Sequence, residues 1–269
     1  MPGSTTRSLP PVADEVEALD PPRVNVLGVH VSAANIPLAV KRIGEFIRSR
    51  QQTHVCITSV HGIVESMKDP ALREIHNTSG LTSTDGMPLV WSARYAGHDS
   101  ERVYGPDLTL ALCERAAAEG WTSYFYGAAP GVADELAKNL AEWFPGFKTV
   151  GTMSPPFRAL TDDEVIEIDA EINAAKPDIV WVGLSTPKQE RWMAAHRDAL
   201  NAPVLIGVGA AFDFHAGNLR QAPERLQKMG LEWLFRLAVE PKRLWRRYLV
   251  QYPPFVWNIL RNPPKTVED

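Results

Sequence analysis

Several polar side chains in this sequence stand directly after short apolar runs, where ligand-holding loops usually begin. Asp85 follows GLTST and precedes Gly86. A carboxylate there can take the proton from an attacking hydroxyl, and Asp-Gly also reads as a plain turn. Arg102, Tyr104 and Asp107, in ERVYGPDL, add polar groups nearby. In DIVWVGLSTPKQERWM, Thr186 is placed to cap a helix with Pro187 at its first position, so Lys188 and Gln189 fall in the first turn. A cation there opposes the helix dipole unless it serves an anion, and a solvated lysine is the plainer alternative. Asp213 and His215 follow the apolar run VLIGVG. The carboxylate suits a uracil imide or a sugar hydroxyl; the histidine reads as a reacting group or as a structural one. Gly127 closes SYFYG ahead of a helix opened by Pro130 and Gly131. Free N–H groups at such a helix start suit a phosphate or a ribose hydroxyl, and equally a simple turn.

The segment GLEWLFRLAVEPKRLWRRYLVQYPPFVWNILRN sets Arg236, Lys242, Arg243, Arg246 and Arg247 among Trp233, Trp245, Tyr248 and Trp257, with only Glu232 and Glu240 as acids. Arg236, Arg243 and Arg246 are spaced by seven and three residues, which puts them on one side of a continuous helix. The plain reading is solvated arginines over a core-facing aromatic stripe. The functional readings are diphosphate binding, attachment to anionic lipid head groups, or both. No Asp-x-Asp pair occurs, and neither Cys56 nor Cys113 has a metal-ligand partner at the right spacing. No metal is therefore expected, and a leaving diphosphate falls to protein cations and backbone dipoles.

These residues need a frame to position them. The runs VNVLGVHV, HVCITSV, GLTST, SYFYGA, KTVGTM, DIVWVGL and PVLIGVG read as strands, separated by amphipathic stretches such as IPLAVKRIGEFIRSR and DEVIEIDAEINAAK. That alternation implies an α/β fold with a Rossmann-like parallel sheet and helices on both faces, which gathers ligands beyond the carboxyl ends of its strands. Residues 1–22 read as a disordered tail, 23–216 as the α/β domain, and 217–269 as a basic, aromatic, helical, membrane-associating appendage. With 45% hydrophobic and 22% charged residues and a net charge of −4, the chain is globular and not a general nucleic-acid binder. The cysteines read as buried reduced thiols, and neither a signal peptide nor a spanning run is visible. A cytoplasmic protein touching the membrane from its surface is expected.

In order, the stretches ITSVHGIV, STDGMPLV, ERVYGPDL, FYGAAPGVA, VGLSTPKQE, GVGAAFDFHAG, RQAPE and GLEWLFRLAVEPKRLWRRYL resemble the WecG/TagA/CpsF family of bacterial glycosyltransferases over about residues 24–250. The resemblance implies an inverting enzyme that moves a sugar (N-acetylmannosamine, its uronic acid, or glucose) from a UDP-sugar donor to an undecaprenyl-diphosphate-linked acceptor. The acceptor lies at the inner membrane face, and the product feeds cell-surface polysaccharide synthesis. It makes Asp85 the base and Thr58, Arg102, Gln189 and Asp213 site residues, with Arg236, Arg243 and Arg246 reaching the diphosphate. Many members carry Asn two residues after the Thr. Val60 stands there in this chain, followed by His61, which becomes the candidate for that contact. No cofactor is called for, and a homo-oligomer is left open. A nucleotide-dependent oxidoreductase would need a glycine-rich fingerprint in the first strand, which has Gly28 alone. A non-catalytic scaffold would tolerate loss of Asp85.

Overall fold

The computed structural model describes residues 20–268 except 220, 224 and 227–229, and every side chain in that range but that of Arg243. The tail expected over residues 1–22 lies outside the described residues as far as residue 19. The run VNVLGVHV, expected as one strand, is a hairpin of β1 (Arg23–Val26) and β2 (Val29–Ser32). Leu27 and Gly28 both take positive φ, +54° and +94°, as a two-residue turn between right-twisted strands requires, and the Asn25 side chain accepts from the Gly28 N–H at 2.8 Å. The alternation of apolar residues shifts phase at the turn, from Val24 and Val26 to Val29 and Val31.

Beyond the hairpin come α1 (Ile36–Arg48), β3 (Thr53–Thr58), α2 (Val60–Lys68), α3 (Pro70–Thr78), β4 (Leu81–Thr84), α4 (Met87–Tyr95) and α5 (Gly105–Glu119). Then follow β5 (Thr122–Gly127), α6 (Val132–Trp143), β6 (Lys148–Met153), α7 (Asp162–Ala175), β7 (Ile179–Gly183), α8 (Lys188–His196), β8 (Val204–Gly207) and α9 (Ala211–His215). Helix starts are encoded locally: Asn35 accepts from the Leu38 N–H to cap α1, and Thr161 and Glu164 form a reciprocal capping box on α7. Six strands make an all-parallel sheet in the order β4–β3–β8–β7–β5–β6, the expected Rossmann-like arrangement. Alternate strand residues serve opposite faces. Ile179 and Trp181 join the core under α1, α5 and α6, while Val180 and Val182 pack with α7 and α8. Cys56 and Cys113 are fully buried free thiols, as expected.

The C-terminal part holds α10 (Glu232–Val239), α11 (Pro241–Trp245), a π-helical segment Arg246–Gln251, α12 (Tyr252–Arg261) and β9 (Lys265–Thr266). The continuous helix that would have aligned Arg236, Arg243 and Arg246 is therefore absent. The chain leaves helical geometry at Glu240, ψ +57°, Pro241 starts a new helix, and the wider π winding changes the angular phase after Trp245. α12 lays Phe255 into a cluster with Val24, Val31, Ile63, Val64 and Leu89, and β9 pairs antiparallel with β1. The last described strand thus pairs with the first.

At the carboxyl end of β5, Gly127 has φ +124°, and a Cβ there would lie 2.7 Å from the Gly183 carbonyl oxygen. Its side-chain absence lets β5 and β7 approach. Gly127→Ala is expected to lower unfolding free energy by about 2–5 kcal/mol, from positive-φ strain plus overpacking. The denaturant midpoint measures this, and an unchanged midpoint would show that the two strands can separate freely.

Candidate active site

Asp85 stands one residue past β4, its N–H donating to the Thr58 carbonyl oxygen at 2.8 Å. Gly86, at φ +111°, turns the chain into α4. Beside it, the Val103 N–H donates to the Thr84 carbonyl oxygen at 3.0 Å and the Thr84 hydroxyl to the Glu101 carbonyl oxygen at 2.8 Å. The intervening residue, Arg102, is thereby pinned next to Asp85. Its guanidinium lies 3.9 Å above the Tyr104 ring and spans two carboxylates: Nη1 is 2.7 Å from Glu232 Oε2 and Nη2 is 3.5 Å from Asp85 Oδ1. Glu232 and Arg236, four residues apart on α10, share the helix face turned to Asp85. From the π-helical segment, Arg247 donates to the Ser59 hydroxyl at 2.9 Å.

Two cavities meet at Asp85. The larger, about 350 Å³, opens beyond the carboxyl ends of β3, β4, β7 and β8 and is lined by Ser59, His61, Thr186, Gln189, Gly209, Arg236, Arg246 and Arg247. The smaller, about 180 Å³, lies between α4 and α10 among Met87, Trp91, Arg102, Trp233 and Tyr248. Ser59, Asp85, Tyr104, Arg236 and Arg247 belong to both. Desolvation pushes the Asp85 carboxyl above the ordinary aspartate range; Arg102 opposes this, Glu232 reinforces it, and Arg236 and Arg247 oppose it. Burial works against the Arg102 charge, yet Asp85 and Glu232 hold it firmly protonated. Such a carboxylate is a stronger base than a solvated one, and the surrounding guanidiniums suit a polyanionic ligand. Among the described residues, no group of three or more His, Cys, Asp or Glu is placed to hold a metal ion.

The sequence that builds this sheet edge matches the model of the glycosyl transferase WecG/TagA/CpsF family over residues 24–268. The chain belongs to this glycosyltransferase family. It is also similar to the N-acetylglucosaminyldiphosphoundecaprenol N-acetyl-beta-D-mannosaminyltransferase of Bacillus spizizenii, with 30% identity over 199 residues, covering 74% of this chain and 75% of that protein.

In this glycosyltransferase, Asp85, Arg102, His61, Gln189, Arg236 and Arg246 all line one or both cavities. Thr58 is 1% exposed beneath them, with a hydroxyl that has no hydrogen-bond partner. His61 Nδ1 sits 2.9 Å from Gln251 Oε1; burial first, then Arg247, keep the ring below the ordinary histidine range, so it is neutral near pH 7. Gln189 is 2% exposed and rests against Gly207, where a Cβ would fall 2.9 Å from its Nε2; its Oε1 has no partner. Gly127, Lys188 and Asp213 do not line the Asp85 cavities: Lys188 is exposed on α8, and Asp213 is half-buried on α9. The side chain of Arg243 lies outside the described residues. His215 is structural, its ring 2.9 Å from the Pro106 carbonyl oxygen and its pKa lowered by burial. The expected cap at Thr186 is corrected. The Thr186–Pro187 peptide is cis, α8 starts at Lys188, and the Thr186 hydroxyl donates to Glu190 Oε1 at 2.8 Å. Sequence reasoning missed Glu232, Ser59 and Gln251 as site residues, and it grouped Arg247 with the basic segment without singling it out. The Glu232–Arg236 spacing was a usable signal, whereas the inward turn of Arg247 depends on the π winding.

Beneath the larger cavity, Glu190 is completely buried and raised above the ordinary glutamate range, by burial first, against the hydrogen bonds from Thr186 and Gln189. An acid with a raised folded-state pKa contributes full stability below its unfolded value, near 4.3, and that contribution is lost as pH rises through the folded value. Glu190→Gln keeps the shape and does not titrate. The variant is expected to gain on the parent between pH 4 and pH 8 by on the order of 1 kcal/mol or more. Urea unfolding at the two pH values tests this, and a difference independent of pH would mean that Glu190 titrates normally.

Proposed function

We propose that this transferase moves a sugar from a UDP-sugar onto a hydroxyl of a polyprenyl-diphosphate-linked acceptor sugar, with inversion at the anomeric carbon and Asp85 as base. The observation that carries this reading is the position of Asp85 as the wall shared by two cavities. The larger holds the donor, where Gln189 Oε1 offers a free acceptor to an imide or hydroxyl and Arg236, Arg246 and Arg247 face the diphosphate. The smaller, between Trp91 and Trp233, takes the acceptor sugar. The Bacillus relative's name describes a mannosaminyl transfer onto a diphosphoundecaprenol-linked sugar, which fits both halves of the proposal. In one in-line displacement, Asp85 removes the acceptor hydroxyl proton. The oxygen attacks the anomeric carbon from the face opposite UDP, and the bond to the diphosphate oxygen breaks. Charge growing on that oxygen is met by preorganised guanidiniums. Thr58 supports this floor through the Asp85 backbone.

Attachment to the inner face of the membrane belongs to the same proposal. No described helix is long and apolar enough to cross a membrane. Yet the C-terminal helices expose Leu249, Val256, Trp257 and Leu260 around an almost wholly apolar groove that begins at Trp233. That surface meets the acceptor cavity at Trp233, Tyr248 and Tyr252, so a lipid chain can leave the site into the bilayer.

The test is UDP release across a panel of UDP-sugars with a short-chain lipid-diphosphate acceptor. Asp85→Asn should fold normally and lose about 10²–10⁴-fold in rate; turnover within a few-fold of the parent removes Asp85 from the reaction. Membrane attachment is tested separately. Replacing Trp257 and Leu260 together by Ser forfeits about 1.5–3 kcal/mol for each side chain that enters the bilayer. Sedimentation with anionic vesicles should fall at least tenfold while turnover of a soluble acceptor persists. Undiminished vesicle binding would move the contact surface elsewhere.

A further inference from the structure

The short ion pair in this site does not involve the candidate base. Arg102 stands 2.7 Å from Glu232 but 3.5 Å from Asp85, at the outer limit of hydrogen bonding. A guanidinium free to choose would grip Asp85 through two parallel bonds, the strongest pairing available to it. Here the fork is turned aside, stacked on Tyr104, and its buried Nε has no partner. We infer that Glu232 is a positioning residue that draws the Arg102 guanidinium off Asp85 and so keeps the base unquenched while α10 is seated. This rests on the reading of Asp85 as the base.

The charges around Asp85 show why such a residue is needed. Arg102 approaches from the loop after α4, Arg236 from α10 and Arg247 from the π-helical segment, and among the described residues Glu232 is the acid that acts most on Asp85. The hydroxyls of Tyr104, Tyr248 and Tyr252 also face it, held neutral because burial raises their pKa values. Without Glu232, the three cations would bear on Asp85 without the negative charge that opposes them, and its proton affinity would fall. Glu232 is also the only buried side chain among the described residues of α10, while Trp233 and Leu234 on that helix are 38% and 50% exposed. The pair that spares Asp85 is thus the principal polar attachment of α10 to the sheet edge, and base strength becomes linked to docking of the C-terminal helices.

Glu232→Gln is nearly isosteric and removes the charge. Its acid limb in the pH profile of kcat/KM should move to lower pH, with plateau kcat down roughly three- to tenfold as the base weakens. Glu232→Asp keeps the charge on a shorter stem and should return the limb toward that of the parent. The Asp85 carboxyl, followed by ¹³C NMR and assigned by difference from Asp85→Asn, should titrate at lower pH in Glu232→Gln than in the parent; this readout needs no turnover. A uniform rate loss with an unmoved limb and unmoved NMR titration would make Glu232 merely structural and overturn the inference. An active Asp85→Asn would overturn the reading of Asp85 instead, so the two failures are told apart.

Discussion

Charge crowding at the carboxyl edge of the sheet is the constraint on which the rest of this structure depends. Asp85 and Glu232 share their space with Arg102, Arg236 and Arg247. Isolated, any of these groups would be costly to remove from water, and a partial network would be worse than none. Together they leave an excess of positive charge facing the larger cavity, which a diphosphate can neutralise. The network spans two regions of the chain. Asp85 and Arg102 come from the sheet and its loops, and Glu232, Arg236 and Arg247 from the C-terminal helices.

The sheet supplies the rigid half. Asp85 hangs from Thr58 by a backbone bond, and Arg102 is held by the extension of β4 through Thr84 and Val103. Gln189 can lie flat against β8 because residue 207 is glycine, and the strand ends at β5 and β7 close up because residue 127 is glycine. Gly127 therefore lets the β5 and β7 strand ends approach at the rim without lining either cavity.

Much of this was legible in the sequence, because the sheet obeys local rules. All the strands of the parallel sheet but the edge strand β6 are runs buried on both sides, and α1, α3 and α7 carry side-chain caps, so pattern located most of these elements. Asp85 was legible as a carboxylate at a strand end, Gln189 as a polar residue in a first helical turn, and Arg102 as a nearby cation in a family motif. Part of what escaped was set by geometry that residue spacing does not encode, above all the inward turn of Arg247 on the π winding. The hairpin at Leu27–Gly28 shows only as a one-residue slip of the alternation, from Val24 and Val26 to Val29 and Val31, inside a nearly continuous apolar run. Glu232 looked like a stray acid in a basic segment until α10 turned it onto Arg102. The Thr186 hydroxyl had two partners to choose between, the start of α8 and Glu190, and a buried carboxylate is the more demanding.

The arginines of the C-terminal helices carry the last step of the argument. A single uninterrupted helix with the spacing of Arg236, Arg243 and Arg246 would present one basic stripe, good for one surface only. The break at Glu240–Pro241 and the π winding that follows divide the work instead. Arg236 and Arg247 turn inward to the Asp85 cavities, Arg246 reaches the rim of the larger one, and Leu249, Val256, Trp257 and Leu260 are left outward as an apolar face. Extra winding costs hydrogen-bond quality and persists only where tertiary contacts fix it. Here those contacts are Arg247 on Ser59 and Gln251 between His61 and Glu65. The same turn therefore faces the reacting groups on one side and the apolar groove on the other, and a change that relaxed it to a regular helix would rotate both out of register together.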